Sequence, residues 1–408
     1  MAYYFLFPEN DATLYSHPDR LDMNTGGDEI LELVKERGTT DQYYYPSRIV
    51  IKFKEEEIAS LIRDTIGGTK FDLTKVNLQL TSVQAKNLTS TQVLKVYAIS
   101  QSWNEGTNKY YNLPSASNGV TWKYRDNSIE ATAWSTSSLG GIGTSAIDDG
   151  FIVENFETTQ GTTGSIVSSS LFGGPLTPGG GVWYTGSGFS ADQQFLGGDN
   201  LDTNFDVTDI VTKYSQSYFN DATYPTGVSN QGFLIKQIDS VESNVSTSFG
   251  ELQYFSQDTH TIYPPKLAFK WDDSTDTSNL TTATSGNLYV SLYGNKKEYN
   301  QNDEALFRLH VRNKYPTRTF STSSNYINTL RLNSTSNALY SIRDAYSEEE
   351  VIPFDTDYTR LSHDEESSFF KLYMNGLQPE RYYRILIKHT NSDGTTVYDD
   401  DYYFKVVR

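Results

Sequence analysis

The sequence predicts an all-β protein made of two sandwiches, and three observations carry that expectation. Apolar side chains recur at every second position in many short runs, such as Leu267, Phe269 and Trp271 or Leu288, Val290 and Leu292, which is the period of a strand with one buried face. Hydrophobic residues make up 37% of the chain, below the usual globular share, yet 30 Tyr and 21 Phe supply large apolar surfaces suited to packing between sheets. Helical periodicity is clear over 54–66, where Ile58, Leu61, Ile62 and Ile66 fall on one face, and Gly67-Gly68 ends it.

The elements follow in order. Asp11–Tyr15 opens as a strand, Asn24-Thr25-Gly26-Gly27 is a turn, and Ile30–Val34 is a second strand. Ser47–Phe53 alternates through Ile49, Ile51 and Phe53 and precedes the helix, whose Glu55-Glu56-Glu57 start suits the positive end of its dipole. Val76, Leu78 and Leu80, then Val93–Ile99 and Val120–Tyr124, give further strands. The organising block runs from Phe205 to Trp271: Thr208 caps a short helix bearing Ile210, Val211 and Tyr214, Gln231–Lys236 is a central strand, and Lys266–Trp271 closes the sandwich after Pro264-Pro265. From Ser135 to Gly198 the chain is rich in Gly, Ser and Thr, which reads as an insertion on the sandwich rim. Asp272–Gly286 has the polar composition of an exposed linker. Beyond it, Phe307, Leu309 and Val311 alternate with solvent-facing Arg308, His310 and Arg312. Tyr383–Ile387, the turn Asn391-Ser392-Asp393-Gly394 and Tyr402–Val407 form a terminal hairpin. The expected organisation is therefore a sandwich over 1–271 with its insertion at 135–198, a linker over 272–286 and a smaller sandwich over 287–408.

Bulk chemistry excludes several roles. With 51 acidic and 33 basic residues the net charge is -18, which would repel a phosphate backbone, so nucleic acid is not an expected partner. Cysteine is absent, so neither disulfides nor thiolate metal sites are expected. The first residues lack the basic start and long apolar core of a signal peptide, and no run approaches a membrane-spanning length, so an unexported, non-membrane protein is expected.

The search for chemistry predicts no enzyme and no cofactor. The five His are scattered without metal spacing, Gly141–Ala146 fits a loose dinucleotide pattern without its flanking strand and helix, and no nucleophile elbow or Walker loop occurs. Acidic residues are abundant, but nothing nominates the carboxylate pair a glycosidase needs. Asp19, Asp22, Asn24 and Asp28 resemble half a calcium loop without its closing glutamate, which turn chemistry explains as well. Trp103, Trp122 and Trp271 belong in or beside strands and read as core. Trp134, Phe172, Trp183, Tyr184 and Phe189 flank or occupy the insertion, and they are the candidate interface residues, with a sugar platform as the alternative use of the same rings. The insertion is accordingly expected to be an assembly surface and not part of the core.

Taken in order, Asn24–Gly27, the Arg48–Phe53 strand with its helix, Trp103-Asn104-Glu105, Trp122, Phe205–Thr208, Asn230–Phe233 and Pro265–Leu267 resemble the disaggregatase-related DNRLRE modules, a jelly-roll sandwich family. The long helix and the 135–198 insertion depart from that pattern. Leu377-Gln378-Pro379 followed by Tyr383 resembles the tyrosine corner of fibronectin type III and immunoglobulin-like domains. The pairing is similar to virion structural proteins of large tailed phages, including cyanophages. That resemblance implies a non-enzymatic tail, neck or fibre component made in the host cytoplasm, with other virion proteins and further copies of itself as partners. The runner-up is a carbohydrate-binding module attaching the particle to a host glycan, and a glycan hydrolase comes third.

Overall fold

The computed structural model describes residues 2–40, 42–67, 71, 74–88, 91–110, 118–128, 130–134, 152–155, 179–185, 187–218, 228–242, 244–284, 287–316, 329–333 and 337–408. The protein is built mainly of antiparallel sheets and forms two compact units. One comprises Leu6–Gly67 and Val76–Leu267, and the other Met1–Phe5, Gly68–Lys75 and Ala268–Arg408. The division falls inside the strand Lys266–Trp271 and adds two short N-terminal pieces to the smaller unit.

The larger unit is organised on an eight-stranded sheet in the order Ser190–Leu196, Thr91–Ala98, Phe233–Gln237, Tyr44–Phe53, Ile30–Arg37, Glu251–Phe255 and Ser82–Lys86, with Pro8–Tyr15 also pairing with Tyr44–Phe53. Phe233–Gln237 is the central strand that its apolar run predicts. All five of its residues are buried, and Ile235 is registered with Ile49 on one side and Val96 on the other. Burial on both faces explains why that strand reads as a continuous apolar run and not as an alternation. Lys75–Leu80 pairs with Thr203–Asp206 in a second sheet.

The predicted helix over 54–66 is present, as an α-helical turn at Glu55–Ser60 that widens into a π-helix at Leu61–Ile66, with Gly67 at φ 79° closing it. Ile58, Leu61, Ile62 and Ile66 are its buried residues, as their spacing requires. The helix Thr208–Tyr218 buries Ile210, Val211 and Tyr214. Its first turn is capped differently from the expectation. The Asp206 carboxylate accepts the Thr208 N–H at 3.2 Å, while the Thr208 hydroxyl accepts the Val76 N–H at 3.0 Å.

The smaller unit packs Leu288–Tyr293, Glu304–Asn313, Ser368–Tyr373 and Ser362–His363 in one sheet against Glu298–Asn300, Gly394–Val407, Tyr382–Asn391, Ala338–Asp344 and Glu350–Ile352 in another. Its core is a run of rings: Phe307 stacks on Phe370 at 5.3 Å and Tyr340 on Phe370 at 4.2 Å, with Phe404 5.4 Å from Phe307. The tyrosine corner forms as the sequence predicts, with Tyr383 Oη donating to the Gln378 carbonyl at 3.1 Å. The terminal hairpin turns through Ser392-Asp393, with Asn391 opposite Gly394 and that glycine at φ 124°.

The stretch read as an exposed linker is bonded along the smaller unit. Arg331 Nη1 donates to both carboxylate oxygens of Asp276 at 2.6 and 2.8 Å, Arg360 reaches Asp272 at 2.5 Å, and Thr275 O accepts the His363 N–H at 2.8 Å. Composition reports polarity, and polar residues can be spent on hydrogen bonds as well as on solvent.

Candidate functional site: a buried tryptophan cluster and a tyrosine-lined acidic cleft

Among the described residues, Trp134, Trp183 and Phe189 are core residues of the larger unit, which corrects the expectation that they are exposed anchors. Trp134, Trp183 and Phe189 are 1%, 3% and 0% exposed, and Tyr184 is half-buried against the same cluster. Phe172 lies outside the described residues. The physical reason is strand pairing. Ser190–Leu196 forms the edge of the main sheet beside Thr91–Ala98, Trp183 bridges to Ile99, and Ser100 N donates to Val182 O at 2.9 Å. A returning strand must carry its inward side chains into the core, and a ring already covered by its own chain has no apolar surface left for a partner.

Beneath these rings lies a desolvated ion network. Arg48 Nη2 sits 3.1 Å and Nε 3.3 Å from the two oxygens of Glu242, and Arg48 Nη1 donates to Gly180 O at 2.8 Å. Lys236 meets Glu242 Oε2 at 3.1 Å and also Asp239. Arg48, Lys236 and Glu242 are each fully buried. The guanidinium lies 4.8 Å from the Trp122 ring and 5.0 Å from Trp183, a cation–π sandwich. Gly180, at φ 78°, is required here, because a Cβ on it would stand 2.7 Å from both Arg48 Nη1 and the Trp122 ring. Both buried cations are thus paired with the one buried carboxylate, Glu242, an arrangement that holds strand to helix.

Trp103, Trp122 and Trp271 are core residues as expected, at 7%, 0% and 1% exposure. Trp103 Nε1 donates to Gln231 O at 2.8 Å.

A cleft of about 490 Å³ in the same unit is the candidate binding site. It is lined by Tyr15, Asp28, Glu29, Glu32, Glu36, Tyr110, Lys109, Glu251 and Gln253, with Ile30 and Val34 as its apolar floor. Ile30–Arg37 and Glu251–Phe255 are neighbouring antiparallel strands, so their outward side chains, Glu32 and Gln253 among them, form one face. Tyr15 Oη donates to Glu32 Oε2 at 2.5 Å and Gln253 Nε2 to Glu32 Oε1 at 2.6 Å. Tyr110 stands edge-on to Tyr15 at 5.6 Å, donates through its hydroxyl to Glu36 Oε1 at 3.2 Å, and is covered by Arg20 at 4.5 Å. Glu36 also pairs with Arg20, while its Oε2 is buried without a hydrogen-bond partner among the described residues. Asp28 accepts the Tyr110 N–H at 3.1 Å. Burial raises its pKa to about 6, and Glu32 adds to that against the opposing hydrogen bond.

The calcium-like quartet is not brought together as ligands. Asp28 faces the cleft, Asp22 pairs with Lys123 at 3.1 Å, and Asp19 accepts from Thr39 at 3.0 Å. Asn24 is fully buried and serves the backbone, donating to Glu105 O at 2.5 Å and Val120 O at 2.8 Å. Among the described residues no group of three or more His, Asp or Glu is placed to hold a metal ion. The histidines lie apart, from exposed His260 to buried His363 and His389.

Sequence reasoning missed Arg48, Lys236 and Glu242. Their signal was a charge inside an apolar strand run, in Arg48-Ile49-Val50-Ile51 and Phe233-Leu234-Ile235-Lys236. The cleft left no comparable trace, since its walls come from four separate stretches. No protein-family model matches the chain, and comparison with curated proteins likewise finds no match.

Proposed function

We propose that this chain is a non-enzymatic structural component of a tailed-phage virion, in its tail, neck or fibre region, acting through contacts with other virion proteins and with copies of itself. The observation that supports this reading best is the distribution of exposed large apolar side chains. Eight of the eleven among the described residues belong to the smaller unit, six of them tyrosines: Tyr289, Tyr293, Tyr315, Tyr346, Tyr382 and Tyr403. Tyr289 and Tyr293 share one sheet face, where Arg312 lies 4.5 Å over the Tyr289 ring and His310 stands edge-on to Tyr293. Tyrosine and arginine are the residues that concentrate binding energy at protein interfaces, because a rigid ring adds contact area at small entropic cost. Mass spectrometry of purified particles is the test. Detection at stoichiometric copy number supports the proposal, and absence from intact particles overturns it.

The cleft favours a second reading, a carbohydrate-binding role. Carboxylates and a glutamine can accept from and donate to sugar hydroxyls, and Tyr15 with Tyr110 offers an aromatic wall. Titration calorimetry against host-surface glycans, with Tyr110→Ala as control, tests it. Heat lost in that variant supports glycan binding, and its persistence sinks it. A carboxyl titrating near 6, as Asp28 does, is also what a general acid requires, so the same glycans are assayed for released reducing sugar. Release abolished by Asp28→Asn would overturn the non-enzymatic reading.

A further inference from the structure

Two carboxyl groups join three separate elements of the larger unit. Asp11, on the strand Pro8–Tyr15, is 1% exposed. Its main-chain N–H donates to Glu105 Oε1 at 2.7 Å, and its Oδ2 accepts the main-chain N–H of Gln257 at 2.7 Å. The Gln257 side-chain amide donates to the same Glu105 oxygen. Strand, the loop after Trp103 and the turn after Glu251–Phe255 therefore meet at this pair. The other charged groups facing it are Asp258 on the turn and Glu9 on the strand, the latter paired with Lys52 at 3.3 Å. Among the described residues no lysine or arginine forms an ion pair with Asp11 or Glu105. The site thus sets buried Asp11 beside half-buried Glu105, with exposed Asp258 close to both, an arrangement in which two adjacent carboxyls cannot both ionise without cost.

We infer that Asp11 and Glu105 form a proton-dependent clasp that holds strand, loop and turn together more firmly in mildly acidic solution than in alkaline solution. Burial is the main cause that lifts both groups: Glu105 rises to about 7 and Asp11 well above the ordinary carboxylate range, with Asp258 adding to each against opposing hydrogen bonds. A carboxyl whose folded value exceeds its unfolded one binds more protons in the folded state between the two. For Glu105 the stabilisation therefore grows as pH falls from about 7 toward 4.5, and is lost as pH rises. The clasp also reaches the cleft. The neighbouring Ser256 donates through Oγ to Asp28 O at 2.5 Å and through its N–H to Glu29 O at 3.1 Å, so the same turn secures the cleft's rim.

The test is amide hydrogen exchange in the full-length protein at pH 5.5 and pH 8, read as protection factors at Asp11 and Gln257. Protection should fall by about tenfold or more at the higher pH, the equivalent of one pKa unit. Glu105→Gln, which keeps the acceptor and removes the charge, should hold the higher protection at both values, and Asp11→Asn should do the same. Equal protection in the unmodified protein at the two pH values would overturn the clasp, as would variants that keep its full pH dependence. A carboxyl carbon-13 titration of the unmodified protein needs no variant: a Glu105 midpoint near 7 supports the proposal, and one near 4.5 removes it.

Discussion

The two units bury their cores by different physical means. In the larger one, charged groups stand at the centre: Arg48, Lys236 and Glu242 are fully buried under Trp122 and Trp183. In the smaller one the centre is a stack of aromatic rings, Phe307, Phe370, Tyr340 and Phe404, with no ion pair among them. Ring stacks tolerate change gradually, since each loss removes contact area. A desolvated ion network fails abruptly, since removing one member leaves another charge buried and unmatched. The larger unit should therefore be brittle at few positions, and the smaller one graded at many.

The largest effect should come from replacing Ser135–Gly198 with a short Gly/Ser bridge. That removes the edge strand Ser190–Leu196 together with Trp183 and Phe189, and each large buried ring is worth about 3–5 kcal/mol. The sum approaches the roughly 5–15 kcal/mol that holds a whole domain. The shortened protein should lose the larger unit's cooperative melt, measured by calorimetry. A retained melt would show that this segment is dispensable to the core after all.

Glu242→Ala is next, at about 3–5 kcal/mol, because Arg48 and Lys236 would stay buried without their shared carboxylate. Denaturant unfolding of this variant should be compared with Arg48→Met/Glu242→Leu, which removes one of the two cations as well, leaves Lys236 with Asp239, and should recover part of the loss. Equal destabilisation by the single and double variants would break the contrast between the two cores.

Acidification should then separate the units. His363 is buried, bonded through Nδ1 to Ser368 Oγ at 2.9 Å, and burial chiefly lowers its pKa to about 4. Its folded value lies below its unfolded one, so the folded state binds fewer protons and stability falls as pH drops from 6.5 toward 4. The loss is about 1.4 kcal/mol for each pH unit in that window. Over the same window Glu105 and Asp28, both raised, work in the opposite direction in the larger unit. Hydrogen exchange resolved by unit between pH 7 and pH 5 should show protection falling around His363 and rising around Glu105. A parallel change in both would contradict the assignment.

The smallest effect is expected from Tyr383→Phe. It leaves the ring in place and deletes one hydrogen bond to Gln378 O, worth about 1 kcal/mol, so the smaller unit should shift its midpoint in denaturant modestly with an unchanged slope.

How much was legible in advance varied by element. The helix over 54–66 and the strands through Ile49, Leu267 and Phe307 were readable because their apolar spacing matches a backbone period within a dozen residues. The tyrosine corner was readable because its donor and acceptor lie five residues apart. The aromatic insertion was misread because Gly- and Ser-rich composition does not reveal that its return strand pairs with Thr91–Ala98. The linker stretch looked free because its partners, Arg331 and Arg360, lie 55 and 88 residues away.

By itself, then, the sequence determined the all-β class, the central strand, the helix faces and the absence of cysteine chemistry, since these depend on residue type and near-neighbour period. The tertiary structure decided which charges are buried together, as Arg48 meets Glu242 across 194 residues, and which carboxyls crowd into one cleft or one clasp. Electrostatics and burial depend on distance in space, and side chains far apart along the chain acquire that distance only when the strands between them have paired.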